Sequence, residues 1–269
     1  MRLHLSLLPM APQPAVPVNY QYYLSSAIYH LLALASPEYA TWLHERGYQS
    51  AADRYLKMFT FSKLDIPAAR FERGWLIAGN ARPWQLQLSS PMENDFVQNI
   101  VLGLFQQQEI EIRAQNTATR FLIEQVEALA PPVFREEMRF VTLSPIVLST
   151  KREHKGKLQA YYYRAADAEL SEAVRKNLLA KYEIIFGHTA EDDRLEFIID
   201  ASYLQRKGGP EKVSKLLTIK EGTPEETRIK GFECPFTLRG NPDLMRVAWE
   251  CGIGEHTAMG CGMVEAVNG

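Results

Sequence analysis

Hydrophobic and polar positions follow two periods along the first half of the chain. Leu3, Leu5 and Leu7 alternate with polar residues, as in a strand with one buried face. Apolar positions then recur every three or four residues between Tyr20 and Leu32, which predicts a helix with Asn19 as its N-cap. The segments predicted next are a short helix Ser36–His44, a strand Leu56–Ile66, a hairpin of Gly74–Gly79 with Trp84–Leu88, a helix Asn94–Gln107, and strands Glu109–Arg113 and Thr119–Ala128. Their order, β-α-β-β-α-β, is that of one split βαβ unit.

The second half repeats this order after the rigid pair Pro131-Pro132, which we take as a domain boundary. The domains predicted on either side are residues 1–130 and 133–269. The segments predicted in the second domain are a strand over 140–148, a basic turn Lys151–Lys157, a helix Asp167–Phe186, strands Leu195–Leu204, Lys215–Ile219 and Arg228–Arg239, a helix opened by Asn241-Pro242-Asp243, and a last strand over Met263–Val267. Two helices again lie among four or more strands, so the sequence predicts an α+β fold.

A glycine-rich loop joins the last helix to the last strand. The run Cys251–Asn268 reads CGIGEHTAMGCGMVEAVN, with two G-x-G units separated by five residues. A dinucleotide-binding fingerprint needs strand, loop and helix in that order, so the predicted order of helix, loop and strand argues against it. Glycines permit backbone N–H groups to converge on phosphate oxygens. They are equally typical of a tight connection with residues at positive φ.

Composition narrows the class of protein. Of 269 residues, 46% are hydrophobic and 23% are charged, as is ordinary for a globular protein. The three cysteines, Cys234, Cys251 and Cys261, lack C-x-x-C spacing, which argues against both a disulfide framework and a zinc site. The N-terminal run is too short and too soon broken by prolines for a signal peptide, and no stretch approaches a membrane span. We therefore expect a cytoplasmic protein that needs no membrane.

The net charge limits which kind of nucleic-acid binding this chain could have. The formal charge is −2 and the pI is about 6.3, which argues against a non-specific binder that depends on a large basic field. A protein that reads the shape and sequence of RNA needs only a local basic face. Positive charge must therefore be clustered if RNA is the partner.

The glycine-rich loop and three further stretches resemble one known family. The stretches are VNYQYYLSSAIYHLLALASPEYATWLHERG, LKMFTFS and FVTLSPIVL. In order and spacing they are similar to stretches of the RAMP-superfamily CRISPR-associated endoribonucleases of antiviral defence, over essentially the whole chain. The resemblance implies two tandem ferredoxin-like (RRM-like, βαββαβ) domains and metal-independent cleavage of precursor CRISPR RNA within its repeats. It implies no cofactor and CRISPR repeat RNA as partner. The sequence leaves open whether other interference-complex subunits or a second copy of the chain also bind.

The resemblance implies three catalytic residues, Tyr29, His44 and Lys57. Metal-free RNA cleavage needs a group that moves protons near neutral pH, and histidine can serve as acid or base. A lysine can neutralise the charge of the transition state, and a tyrosine hydroxyl can position a group. The run RGYQSAADRYL between His44 and Lys57 is longer than expected, so Arg46 or Arg54 could replace Lys57. A surface histidine, a half-buried tyrosine and an edge-strand lysine are the ordinary readings of these residues.

RNA contacts are expected at two places. The first is the basic turn, with Lys151, Arg152, Lys155 and Lys157, and the second is the glycine-rich loop, with Gly252, Gly254, His256, Gly260 and Gly262. The group Arg206, Lys207, Lys212 and Lys215 fits an RNA contact or a solvated surface equally well. Tyr161–Tyr163 and Tyr203 could stack on bases, although core packing explains most of them. No pair of histidines has metal-binding spacing, so no metal is expected.

Two other functions fit the same residues. A non-catalytic RAMP subunit would bind CRISPR RNA as a scaffold in an interference complex, and a trio too dispersed to share one phosphate would favour it. A pair of ferredoxin-like domains that bind a small molecule is the third reading, and the near-neutral charge is compatible with it. The histidine at position 44 favours the enzyme.

Overall fold

The computed structural model describes residues 1–50, 54–79, 82–114, 117–154 and 156–267, with His154 described by its backbone alone. The chain forms two compact units. The first consists of residues 1–48, 55–131 and 258–260, and the second of residues 49–54, 132–257 and 261–269. The short segment 258–260 of the glycine-rich loop therefore groups with the first unit.

The elements up to residue 129 are, in chain order, β1 (Arg2–Pro9), β2 (Ala15–Pro17), α1 (Gln21–Ala35), α2 (Pro37–Glu45), β3 (Tyr48–Gln49), β4 (Tyr55–Leu56), β5 (Thr60–Phe61), β6 (Ala69–Glu72), β7 (Trp75–Ala78), β8 (Trp84–Ser89), α3 (Gln98–Gln107), β9 (Glu109–Ala114) and β10 (Thr117–Leu129). A π-helical turn, Glu93–Val97, precedes α3. The main sheet is antiparallel with the order β5-β8-β1-β10-β9. Its first four strands have the spatial order of a ferredoxin-like βαββαβ unit, and β9 extends the edge.

The core of the first unit follows the predicted alternation. Leu3, Leu5 and Leu7 of β1 are buried, and Leu3 lies opposite Leu88 on one neighbouring strand and Ala128 on the other. The helices α1 and α3 add their apolar faces, including Ile28 on α1, to the same core. Burial of these side chains is the main stabilising term of the unit.

The elements of the second unit are β11 (Glu137–Thr142), β12 (Ser149–His154), β13 (Lys157–Tyr162), α4 (Leu170–Phe186), β14 (Leu195–Ile199), α5 (Ala201–Lys207), β15 (Ser214–Ile219), β16 (Thr227–Phe232), β17 (Phe236–Gly240), α6 (Pro242–Cys251) and β18 (Val264–Ala266). The antiparallel sheet has the order β14-β17-β11-β18, which is again that of a ferredoxin-like unit. The pairs β12-β13 and β15-β16 form separate hairpins. The predicted α+β fold is confirmed.

Two predicted elements of the first half are wrong. The predicted strand Leu56–Ile66 is broken into β4 and β5 because Met58 has a positive φ of 54° and turns the chain. The predicted hairpin is also absent among the described residues, since β7 pairs with β2 and β6, whereas β8 lies between β1 and β5. Its expected turn at Asn80 and Ala81 lies outside the described residues.

Three further predictions, two about strands and one about a helix cap, differ from the structure. The predicted strand Leu195–Leu204 ends at Ile199, because the Asp200 carboxylate accepts a hydrogen bond from Tyr203 N (2.9 Å) and starts α5. The predicted strand Arg228–Arg239 is two strands, β16 and β17, in different sheets. Helix α1 begins at Gln21 without a side-chain cap, so the prediction for Asn19 was wrong.

A close helix-to-helix approach gives a test of the first unit. A Cβ at Gly103 on α3 would lie 2.1 Å from the backbone oxygen of Leu31 on α1. We expect Gly103→Ala to lower the free energy of unfolding by about 1–2 kcal/mol, because overpacking outweighs the gain of roughly 1 kcal/mol in helix propensity. Chemical denaturation measures this value. Gly79→Ala is the control, since a Cβ there meets nothing within 4 Å, and equal stabilities of the two variants would contradict the prediction.

Candidate active site and glycine-rich loop

His44 is held at the exposed end of an anchored helix. The Ser36 hydroxyl accepts a hydrogen bond from Tyr39 N (3.3 Å) and begins α2, with Pro37 in its first turn. Leu43 is fully buried and fixes the helix on the core. The imidazole of His44 lies in the last turn and is exposed. A substrate can therefore reach it without any movement of the helix.

The Tyr29 ring lies between His44 and a buried aromatic pair. Its centroid is 5.2 Å from that of the His44 imidazole, edge to face at 84°, and 5.8 Å from that of Phe59. Phe59 stacks on Phe96 at 4.5 Å. Burial raises the pKa of Tyr29 above its ordinary value, and the nearby Tyr39 hydroxyl raises it further. Tyr29 is thus a neutral hydroxyl at physiological pH, suited to donate a hydrogen bond but not to act as a base.

The Lys57 ammonium lies at the carboxyl end of α2. It donates hydrogen bonds to the carbonyl oxygens of His44 (2.7 Å) and Arg46 (3.1 Å). The last carbonyl oxygens of a helix lack partners within the helix and form the negative end of its dipole. A cation is therefore favoured at this end. Burial lowers the pKa of Lys57. Since an ammonium has three protons, one remains for an anionic group, and the structure brings the three predicted residues together.

The two arginines considered as replacements for Lys57 lie differently. Both Arg46 and Arg54 are exposed, and no hydrogen bond or ion pair within the described ranges links the Arg46 guanidinium to His44 or Tyr29. Arg46 contributes its carbonyl oxygen to Lys57. Lys57 therefore contacts His44 directly, through a hydrogen bond from its ammonium to the His44 carbonyl oxygen.

A chain of hydroxyl groups beside α2 could not be predicted from the sequence. Tyr48 donates to the Asp95 carboxylate at 3.1 Å, and its oxygen lies 3.2 Å from the Tyr39 hydroxyl. Burial, above all, raises the pKa of Tyr48 to about 12. Trp42 packs against both tyrosine rings. The first contact joins residues 47 positions apart in the sequence, and the second joins residues 9 positions apart. No periodic pattern reveals such contacts.

The glycine-rich loop does not offer all of its N–H groups to a ligand. Gly254 N donates to the Asn177 side-chain oxygen (2.8 Å), Gly262 N to Pro145 O (2.8 Å) and Ile253 N to Gly262 O (2.8 Å). The N–H groups of Gly254 and Gly262 are therefore engaged within the protein, and RNA contact at these two glycines stays a prediction. The hydrogen bonds inside the protein already use the donors.

Close backbone packing explains the glycines. Gly254 has a φ of +93°, and a Cβ there would lie 2.2 Å from the Val147 carbonyl oxygen. Gly262 has a φ of +77°, and its Cβ would lie 2.1 Å from the Ile253 carbonyl oxygen. Gly252 ends α6, and a Cβ at Gly260 would meet the Phe61 ring. The motif is required by the close packing of the loop on itself and on neighbouring residues.

A buried lysine of α4 donates hydrogen bonds to the glycine-rich loop. Lys181 on α4 is 2% exposed, and its ammonium donates to the carbonyl oxygens of Gly252 (2.7 Å) and Gly254 (3.0 Å). Burial lowers its pKa to about 8. One signal was present in the sequence, since Lys181 continues the apolar stripe of Val174 and Leu178 at helical spacing.

The exposed part of the loop is His256, which has a positive φ of 56°. The neighbouring Glu255 turns inwards, and its carboxylate accepts a hydrogen bond from the Ser149 hydroxyl at 2.8 Å. Ser149 is the first residue of β12. The loop is thus joined to the base of the hairpin that follows Ser149.

The predicted basic turn is that hairpin, β12-β13, rather than a short turn. Lys151 and Lys157 on it are exposed. Arg152 is engaged locally, because its guanidinium stacks on the Tyr161 ring (3.7 Å) and pairs with Glu169 (3.4 Å). Lys155 lies outside the described residues. The hairpin therefore presents two lysines to solvent among the described positions.

Three of the four residues in the second basic group line a cavity of about 350 Å³ in the second unit, whereas the Arg206 guanidinium donates to the Ser202 hydroxyl (3.1 Å). Lys207 and Lys212 face it from α5 and the following turn, and the Lys207 ammonium lies 5.5 Å from the centre of the Tyr203 ring. Lys215 lies 3.8 Å from the Glu233 carboxylate. The cavity thus brings together three cations and one carboxylate.

Within the described ranges, no group of three or more histidine, cysteine, aspartate or glutamate residues could hold a metal ion. No described helix has the length and apolar character needed to cross a membrane.

Two ferredoxin-like units, with a glycine-rich loop between the last helix and the last strand, form the architecture that the resemblance to the RAMP class of proteins implies. The family model "CRISPR-associated protein Cas6, N-terminal" matches residues 15–127, and "CRISPR associated protein Cas6, C-terminal" matches residues 129–266. The chain belongs to the Cas6 family.

Similar proteins agree with this assignment. The chain is 30% identical to CRISPR-associated endoribonuclease Cas6 1 of Methanocaldococcus jannaschii over 255 residues, which cover 93% of this chain and 86% of the relative. It is 27% identical to CRISPR-associated endoribonuclease Cas6 of Pyrococcus furiosus, over 93% of this chain and 83% of the relative. A solved structure described as CRISPR associated protein Cas6 has a TM-score of 0.74 at 28% identity and covers 100% of this chain and 99% of that one. A second, described as an RAMP protein binding different RNA substrates, has a TM-score of 0.78 at 24% identity and supports the fold, with 100% of both chains covered.

The packing at Gly254 can be tested against a matched glycine. Gly254→Ala and Gly156→Ala both place an alanine at positive φ, which costs roughly 1–2 kcal/mol. Only Gly254→Ala adds a clash with backbone, since a Cβ at Gly156 meets nothing within 4 Å. We expect Gly254→Ala to lose at least about 1 kcal/mol more in the free energy of unfolding. Denaturant titration of the two variants checks this, and equal losses would contradict a packing role.

Proposed function

We propose that this protein is a metal-independent endoribonuclease that cuts precursor CRISPR RNA once within each repeat. The observation that carries the proposal is the cluster of His44, Tyr29 and Lys57, with ring centroids at 5.2 Å and an ammonium-carbonyl distance of 2.7 Å. Relatives that match 93% of the chain are named CRISPR-associated endoribonucleases. The reaction requires these three side chains to reach the same phosphodiester.

The proposed reaction is an internal displacement at phosphorus. A ribose 2′-hydroxyl loses its proton and its oxygen attacks the adjacent phosphorus, while the bond to the 5′-oxygen breaks and that oxygen gains a proton. The products are a 2′,3′-cyclic phosphate and a 5′-hydroxyl, with no net uptake of water. His44 transfers one of these protons, Tyr29 positions the phosphate through its hydroxyl, and Lys57 neutralises charge that builds up in the transition state.

RNA binding is proposed for exposed polar side chains of the second unit. The hairpin β12-β13 contributes Lys151 and Lys157, and the glycine-rich loop contributes His256. Phosphate contacts of this kind position an RNA chain. We assign catalysis to a domain of residues 1–130 and the RNA-binding loop to a domain of residues 133–269. Assembly with other subunits of an interference complex, or into a homodimer, stays a prediction.

A non-catalytic scaffold that retains CRISPR RNA is the second candidate. The observation in its favour is that two relatives are named putative CRISPR-associated endoribonuclease-like proteins. They are 27% and 25% identical to this chain over 99% of its length. Cleavage separates the two candidates, because both require binding.

The first test is cleavage of the cognate repeat RNA in EDTA by wild type and by His44→Ala, with binding measured on the same samples. We expect wild type to cut at one phosphodiester and leave a 2′,3′-cyclic phosphate. The variant should bind with unchanged affinity and cut about 10²–10⁴ times more slowly, as for loss of a general acid or base. His30→Ala is the matched control, since His30 is exposed beside Tyr29 on α1, and it should cut at the wild-type rate.

Each other outcome identifies the part of the proposal that fails. Full activity of His44→Ala would refute the site. Wild type that binds the repeat without cutting it would establish the scaffold, and a requirement for a divalent metal would contradict the metal-free reaction.

The role of Lys57 is tested by Lys57→Met beside Arg46→Ala and Arg54→Ala. We expect Lys57→Met to lower the single-turnover rate by roughly 10²–10³-fold at saturating RNA, as for loss of a group that stabilises transition-state charge. The two arginine variants should stay within about threefold of wild type. A larger loss in either arginine variant than in Lys57→Met would transfer the role to that arginine.

A further inference from the structure

Two polar side chains of α4 bind the same short piece of the glycine-rich loop. Lys181 donates to the carbonyl oxygens of Gly252 and Gly254 at 2.7 and 3.0 Å. Asn177, one helical turn earlier, accepts from Gly254 N at 2.8 Å and donates to Gly254 O at 3.3 Å. The backbone of Gly254 is therefore held on both its donor and its acceptor.

The position of the ammonium has a physical reason. Gly252 is the C-cap of α6, so its carbonyl oxygen lies at the negative end of that helix. A buried ammonium is unfavourable unless hydrogen bonds replace its water, and here two carbonyl oxygens do so. The loop carbonyls thus stabilise the buried charge of Lys181, and the charged Lys181 in turn holds the loop in place.

The held segment continues directly to the proposed RNA-binding residues. Gly254 forms a parallel bridge with Val147, and Glu255 N donates to Val147 O at 2.7 Å. The Glu255 carboxylate accepts from Ser149 at the start of the basic hairpin. A displacement of Gly254 would therefore move both His256 and the base of that hairpin.

We propose that Lys181, together with Asn177, is a positioning residue for RNA binding, which holds the glycine-rich loop and the basic hairpin in one binding arrangement. This inference rests on the proposed function, because it assumes that these two elements contact the repeat RNA. Lys181 itself is buried and does not touch RNA.

The proton of Lys181 makes this role measurable. The titratable groups that face its ammonium are the Cys251 thiol and the Glu255 carboxylate. Burial, above all, raises the pKa of Cys251 to about 12, so this thiol stays neutral while Lys181 titrates. With the Lys181 pKa lowered to about 8, its charge disappears as the pH rises from 7 to 9. The hydrogen bonds to the two carbonyls then weaken, and RNA affinity should fall.

Stability should change in the opposite direction. The unfolded chain binds the Lys181 proton more tightly than the folded chain does, so between pH 8 and 10.5 the unfolded state holds more protons. The contribution of Lys181 to the free energy of unfolding therefore rises with pH. A fall in RNA affinity over this range, without loss of stability, distinguishes positioning of the loop from a general role in the fold.

The experiment uses Lys181→Met, which removes the charge and keeps the length of the side chain. Lys176→Met is the matched control, because Lys176 is an exposed lysine on α4 that pairs with Glu172. Affinity for repeat RNA with a 2′-deoxy group at the cleavage site is measured in EDTA from pH 6.5 to 9.

For wild type and Lys176→Met we expect affinity to fall about tenfold through pH 8. Lys181→Met should bind at least tenfold more weakly at pH 7 and show no such fall. With cleavable RNA its KM should rise more than its kcat falls. Melting temperatures recorded over the same pH range report the fold of each protein.

The outcomes separate the two proposals. Wild type that binds RNA equally well from pH 7 to 9 overturns the role of Lys181, and this result needs no folded variant. Lys181→Met that binds as tightly as Lys176→Met also overturns it. Wild type without affinity for repeat RNA at any pH contradicts the proposed function, and the positioning role with it.

Discussion

The close approach of the Gly254 backbone to Val147 is the constraint on which the candidate RNA surface of the second unit depends. Any side chain at Gly254 would overlap the Val147 carbonyl oxygen. The same approach allows Glu255 to reach both Val147 O and Ser149. The glycines therefore permit contact between two pieces of backbone. The proposed RNA contacts are made by the side chains that this contact positions.

Two lysines perform related tasks at two helix ends, and their burial separates their roles. Lys57 binds carbonyl oxygens at the end of α2, and Lys181 binds those just beyond α6. A cation is favoured at either place by the helix dipole. Lys57 keeps enough access to solvent for a remaining proton to reach a phosphate. Lys181 is enclosed, so it can act only through the loop that it holds.

Much of this fold follows from local rules in the sequence. The alternation of β1, the capped helix α2 with Pro37 in its first turn, and the helix α6 opened by Asn241 were all predicted, because caps and periodicity act over a few residues. The strand predicted from Leu56 failed at Met58, whose positive φ no propensity reveals. Tertiary context decides such positions.

The site was predictable to a smaller extent. The resemblance identified Tyr29, His44 and Lys57, whereas the bonds of Lys57 to backbone carbonyls depend on the path of residues that no pattern predicts. The sequence also did not reveal that the N–H groups of Gly254 and Gly262 donate to acceptors within the protein. A glycine signals that backbone comes close to something, and here that something is other backbone of the same chain.

The overall charge of −2 conceals an uneven distribution of cations in the second unit. Arg175, Arg194 and Arg239 each pair with carboxylates at 2.7–2.8 Å, so their fields are largely cancelled beyond a few ångströms. Lys151 and Lys157 carry no ion pair among the described residues, and both are exposed. A small number of uncancelled lysines on one hairpin can attract a phosphate chain, although the protein as a whole is slightly acidic. Such a protein would bind RNA only where these lysines are correctly placed, and that placement is the task we assign to the loop beneath them.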